Sequence, residues 1–206
     1  MNIIIANKSH TSYATQICDT IADAAKVRGT GIAKRKPEYI IEKMEKGNAV
    51  IALDGETFAG FCYIESWGHG KFVANSGLIV HPNYRGIGLA KKIKKKIFEH
   101  SREKFPTAKV FSITTGLAVM KLNSDLGYKP VTFSELTDDQ SFWKGCQTCK
   151  NYDVLQRTNQ TMCLCTGMLF DPNAKEVNKG RKIKDKVFNR LKRIKQSMYL
   201  KNKKKS

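Results

Sequence analysis

Apolar residues along this chain recur at two different spacings, and the change from one to the other outlines the elements. Asn2–Ala6 is a short β-rich run. From Thr11 to Val27 the apolar positions Ala14, Ile17, Ile21 and Ala25 follow the three-and-four spacing of an amphipathic helix. Arg28-Gly29-Thr30-Gly31 breaks that helix, and Pro37 opens a second one to about Lys46, with Tyr39, Ile40 and Met44 facing inward. β-rich runs on both sides of Asp54-Gly55 give a hairpin signal. A third run, Lys71–His81, makes Asn48–His81 an antiparallel meander. A basic helix follows to His100, then a strand over Ala108–Thr114, a helix over Gly116–Gly127 closed by its final glycine, and a strand over Tyr128–Phe133. Strands and helices mixed in this order predict an α+β fold around one largely antiparallel sheet.

The junction between the meander and the basic helix is the most informative stretch: Val80-His81-Pro82-Asn83-Tyr84-Arg85-Gly86-Ile87-Gly88-Leu89-Ala90. A helix entered directly from a strand leaves its first N–H groups unpaired, and with the helix dipole these form an anion site. Gly86 and Gly88 let a phosphate approach the backbone, and Arg85 adds a bidentate cation. Lys91, Lys92, Lys94, Lys95 and Lys96 extend a positive surface along the helix. The alternative is an ordinary helix start with a solvated basic face.

These residues resemble the pyrophosphate turn of the GNAT superfamily of N-acyltransferases, whose pattern is Arg/Gln-x-x-Gly-x-Gly/Ala; Arg85, Gly88 and Ala90 fall on its defined positions. Leu117–Val131, through Leu126-Gly127-Tyr128, resembles the same family's second signature, and the likeness spans about Asn2–Phe133. It implies a mixed, mostly antiparallel central sheet flanked by helices. It also implies that acetyl-CoA, or another short acyl-CoA, is the co-substrate. Arg85, Gly86, Ile87, Gly88, Leu89 and Ala90 would seat the pyrophosphate, and Leu78, Ile79 and Val80 would pair with the pantetheine. A bulge in that strand would aim a backbone N–H at the thioester carbonyl.

Acyl transfer to an amine needs a group to take the ammonium proton and a route for protonating the leaving thiolate. Many members of the family place a Tyr four residues before the helix-ending glycine as the acid; here that position is Asn123, which donates no proton as an acid and is left to hydrogen-bond the thiolate. Glu65, in the apolar and aromatic run Phe61–Trp67, is the candidate base, or else a paired strand-end carboxylate. Arg28, Thr30 and Arg35 are candidates to bind an acceptor carboxylate, or form an exposed basic loop. With Ser141–Lys150, this segment resembles the bacterial GNAT group associated with arginine biosynthesis, which implies a small amine acceptor, glutamate. A protein-lysine or N-terminal acetyltransferase shares the same chemistry.

Past Phe133 the chain reads as a cysteine-rich extension (134–173) of a domain spanning 1–173. Cys146 and Cys149 form C-x-x-C, and Cys163 and Cys165 form C-x-C within a last strand, Met162–Phe170. Four such thiolates suit a structural zinc, and reduced thiols are the alternative. The chain carries a net charge of +19, of which residues 174–206 supply 14 basic and 2 acidic residues. Ile183, Val187, Leu191, Ile194 and Met198 predict a basic amphipathic tail helix, suited to an anionic membrane surface, nucleic acid or a partner subunit such as a second copy. That tail carries few aromatics, Phe188 and Tyr199, which counts against a nucleic-acid-binding protein built on base stacking. No apolar run reaches the roughly 20 residues of a membrane span. The start lacks a signal peptide's basic lead and long apolar core, and a cytoplasmic location is expected.

Overall fold

A computed structural model describes residues 1–28 and 35–174 of the 206-residue chain. Contacts divide the chain into Met1–Pro172 and Asn173–Ser206, and every element described below lies in the first unit. The expected tail helix lies outside the described residues.

The strands are β1 (Asn2–Ile5), β2 (Ala49–Asp54), β3 (Thr57–Trp67), β4 (Phe72–Val80), β5 (Lys109–Thr114), β6 (Lys129–Val131) and β7 (Thr166–Phe170). They form one sheet in the order β1-β2-β3-β4-β5-β7-β6. Among the described strands only β4 and β5 pair in parallel. The mixed, mostly antiparallel α+β architecture expected from the sequence is what the chain adopts. Helices α1 (Ala14–Arg28) and α2 (Pro37–Glu45) cover one face, and α3 (Leu89–Lys104) covers the other. The first helix begins later than its spacing predicts, because Lys8–Tyr13 forms a 3-10 turn capped by Asn7. Pro37 does start α2, where its missing N–H and fixed φ suit the first turn.

The meander is buried on both faces, so its strands read as nearly continuous apolar runs. On β3, Phe58, Phe61 and Tyr63 pack toward α1 and α2, where they meet Ile17, Ile21, Ile40 and Met44. Ala59, Cys62 and Ile64 pack toward Leu89, Ile93 and Ile97 of α3. Each of these large apolar side chains, once buried, contributes about 1.5–3 kcal/mol.

Two features open the sheet. Opposite Phe61–Tyr63 the register on β4 jumps from Ile79 to Ser76, so Gly77 and Leu78 together face Cys62. This is a β-bulge, and Gly77 occupies it with φ +64. In addition, β4 pairs β5 only from Phe72 to Ala74, and the rest of β5 pairs β7. Among the described residues, no strand pairs β4 on its β5 side from Asn75 onward, and the sheet splits there.

The cysteine-bearing part of the extension, residues 134 to 165, is an insert between β6 and β7, and β7 returns into the sheet between β5 and β6. The last strand begins at Thr166 rather than Met162, which leaves Cys163 and Cys165 in the preceding loop. Within the insert, α5 (Gln140–Lys144) and α6 (Tyr152–Arg157) pack on the face that carries α1 and α2. Phe133, Phe142 and Trp143 meet Trp67 and Phe111 in an aromatic cluster, and the Trp143 indole N–H donates to the Thr137 carbonyl at 2.9 Å.

Candidate active site

The split sheet opens into a cavity of 810 Å³. Its walls are Ser76, Gly77 and Leu78 of β4, Ser112 to Thr114 of β5, and the first turn of α4 (Leu117–Asp125). On the α1/α2 face it is bounded by Arg35, Tyr39, Tyr63, Glu65 and Trp67, with Phe142 and Cys146 of the insert closing the far side.

Glu65 reaches this cavity because β3 alternates: Phe61, Tyr63, Glu65 and Trp67 share one face. The Tyr39 hydroxyl donates to a Glu65 carboxylate oxygen. Arg35 Nε donates to the Tyr63 hydroxyl at 2.8 Å, and the guanidinium stands 5.3 Å from the centre of the Tyr39 ring. Burial opposes the Arg35 charge, but Tyr63 and Glu65 outweigh it and hold the group above the ordinary arginine range. Burial and the Glu65 carboxylate push both tyrosines above the ordinary phenol range. The result is a half-buried carboxylate and a fixed cation, joined by two phenols that stay protonated. Arg28 is the last residue of α1, and Thr30 lies outside the described residues.

At the other end of the split, Pro82–Tyr84 forms a 3-10 turn and Gly88 caps α3 with φ +77. The Arg85 N–H bonds the Pro82 carbonyl and the Lys91 N–H bonds Gly88. Between them the N–H groups of Gly86 to Ala90 make no such bond, leaving a row of donors at the helix start. Gly86, Ile87 and Gly88 are exposed, Leu89 is buried, and Arg85 Nε bonds the Val80 carbonyl at 3.2 Å. Ile79 and Val80 are buried, while Leu78 is half-buried and lines the cavity.

Two sequence-level placements change. Lys94 is not part of an exposed basic face: it is 1% exposed, on the inner side of α3. Ala90, Lys94, Ile97 and Ser101 recur at helical spacing, a signal that would have found it. Asn123 is fully buried, its amide nitrogen 3.7 Å from Met168 Sδ and its amide oxygen unpartnered, and it is not among the cavity-lining residues.

All four cysteines of the insert line the cavity and are half-buried free thiols. Burial, and then the neighbouring cysteines, push Cys146 up to about 11 and Cys165 up to about 12. Among the described residues no group of three or more His, Cys, Asp or Glu side chains is arranged to hold a metal ion, so the expected zinc finds no support. No described helix is long and apolar enough to cross a membrane.

A search of curated proteins finds no match. Among solved structures, the chain is similar to N-acetylglutamate synthase from Neisseria gonorrhoeae complexed with coenzyme A and N-acetyl-glutamate (TM-score 0.60, 13% identity). That match covers 84% of this chain and 35% of the synthase, so this chain spans about a third of its length. It is also similar to a Salmonella typhimurium protein solved with its cofactor acetyl-CoA (TM-score 0.56, 14% identity, 87% of this chain and 98% of that one). A third is ribosomal-protein-alanine N-acetyltransferase from Brucella melitensis (TM-score 0.54, 12% identity, 83% and 99%). At these identities the likenesses speak to the fold. The family model for the acetyltransferase (GNAT) family matches residues 15–121, more than half of the chain, and the chain therefore belongs to the GNAT acetyltransferases.

Proposed function

We propose that this acetyltransferase moves a short acyl group, acetyl first, from coenzyme A to the α-amine of a small amino acid bearing a second carboxylate, glutamate being the acceptor of choice. The observation that carries the reading is the Arg35–Tyr63–Tyr39–Glu65 constellation on the cavity face of β3. It offers a fixed guanidinium for a carboxylate and a carboxylate for an ammonium within one cavity. The Neisseria synthase solved with N-acetyl-glutamate points to the same acceptor.

The row of N–H groups from Gly86 to Ala90 takes the coenzyme's pyrophosphate, with Arg85 adding charge. The open edge of β4 at Leu78–Val80 pairs with the pantetheine. The bulge at Gly77-Leu78 turns backbone N–H groups toward the split, where one polarises the thioester carbonyl. Glu65 accepts the ammonium proton, and the freed amine attacks the carbonyl carbon. The decisive experiment is a matrix of short acyl-CoAs against amino acids, read by thiol release. Turnover with glutamate supports the acceptor, turnover with peptides alone replaces it with a protein substrate, and no turnover with any amine overturns the transferase mechanism.

A further inference from the structure

The leaving thiolate needs a proton, and Asn123, at the position the family pattern points to, does not deliver one. Asn123 has no acidic proton and faces Met168. Tyr128 is buried, its hydroxyl held on Asn75 Oδ1 at 3.1 Å, and it is not among the cavity-lining residues.

Lys94 is placed differently. It projects from α3 toward the point where β4 parts from β5, and it lines the cavity beside Asn75, Ser76 and Gly77. Its Nζ donates to Asn75 Oδ1 at 3.3 Å and stands 5.1 Å from the centre of the Tyr128 ring. Asn75 is itself fixed, its amide N–H donating to Ser101 Oγ at 2.7 Å, and Ser101 is held on the Ile97 carbonyl. The titratable neighbours are Tyr128 and Cys62, the latter's thiol directed at the Ser76 carbonyl and pushed up to about 11 by burial. Among the described residues no carboxylate pairs with Lys94. A buried ammonium with one neutral acceptor and no counter-ion is an unusual expense for a fold to carry. It is held on the α3 side of the split, opposite the face that carries Glu65.

We propose that Lys94 is the proton donor to the coenzyme A thiolate that leaves during acyl transfer. The acceptor amine forms the C–N bond as the C–S bond breaks, and the sulfur keeps that electron pair. A proton passes from Lys94 Nζ to sulfur, giving the free thiol and a neutral lysine. The two protons shed by the acceptor nitrogen leave through Glu65 and solvent, and Lys94 takes up one proton after product release. Burial pushes Lys94 down to about 8, which makes its ammonium a readier acid than an exposed lysine while keeping it largely protonated near neutrality.

This role rests on the acyl-CoA reading, and one experiment separates the two. Coenzyme A carrying ¹³C at the carbon next to its thiol is bound to the full chain, and its ionisation is followed by NMR as pH is varied. In wild type the thiol and Lys94 titrate as a coupled pair, so part of the bound thiol ionises at a lower pH than free coenzyme A. Lys94→Met removes that shift, and Lys94→Arg, which keeps the charge, retains it while turnover falls at least tenfold. Equal thiol titration in wild type and Lys94→Met, with coenzyme A bound to both, overturns the role alone. Wild type that binds no coenzyme A overturns the acyl-CoA reading and this role with it. Should Lys94→Met not fold, the Lys94→Arg arm still decides: unchanged turnover sinks the proposal.

Discussion

Gly77 lies so close to the ring of Tyr63 that a Cβ built on it would fall 2.3 Å from the ring's Cε1. The contact joins the bulge on β4 to the phenol that holds Arg35. Gly77→Ala therefore meets both a positive φ and a ring that must move. Together these should destabilise the fold by about 2–5 kcal/mol. Thermal melts check this, and an unchanged melting temperature would mean that the bulge tolerates a side chain.

The helix start makes a prediction with a built-in control. Gly88 has φ +77 and open space around its Cα, so Gly88→Ala should weaken stability by about 1 kcal/mol and coenzyme A affinity only modestly. Gly88→Glu carries the same backbone strain plus a negative charge beside the unpaired N–H groups, and calorimetry should find its coenzyme A binding lost. Equal affinities for the two variants would place the pyrophosphate elsewhere.

Arg35→Lys should raise the KM for a dicarboxylic acceptor about tenfold, because the forked geometry is lost along with the contact to Tyr63. The Kd for coenzyme A should not change. Glu65→Gln should lower kcat about a hundredfold with the acceptor KM little altered. Steady-state kinetics on both variants test this, and normal kcat in Glu65→Gln would remove it as the base.

Lys94 also predicts a pH dependence of stability. Burial lowers its pKa from 10.5 to about 8 in the folded chain. Between those values the unfolded chain holds a proton that the folded chain has released, so stability rises with pH through that window. Below about pH 8 the whole penalty stands, about 3 kcal/mol. Lys94→Met should flatten the rise and be more stable than wild type at pH 7. Urea melts between pH 6 and 10 measure this, with the exposed Lys92→Met as a control showing no change.

A chain ending at Ala174 keeps all seven strands and should fold and retain turnover. One ending at Met162 loses β7, which leaves β5 unpaired along one edge and detaches β6, and it should not fold. Circular dichroism of the two truncations is enough to tell.

Local pattern alone determined the meander, the Pro37 start of α2, the glycine-capped start of α3 and the order of elements through β6. Each follows from spacing or backbone chemistry within a short window: alternation, a fixed φ, a residue without a side chain. The row of N–H groups at the start of α3 was legible for the same reason, since it is confined to residues 85–90. Glu65 and Arg35 could be named from sequence, but not their joining through Tyr63 and Tyr39. That depends on α2 packing across β3, a relation between residues 24 to 28 positions apart. The insertion of β7 between β5 and β6 was equally hidden, because strand order is set by long-range pairing and not by the sequence on either side. Lys94 shows the difference most sharply. Five lysines in six positions read as one solvated face, and only the packing of α3 against the split sheet decided that one of them would be buried, with Asn75 as its partner.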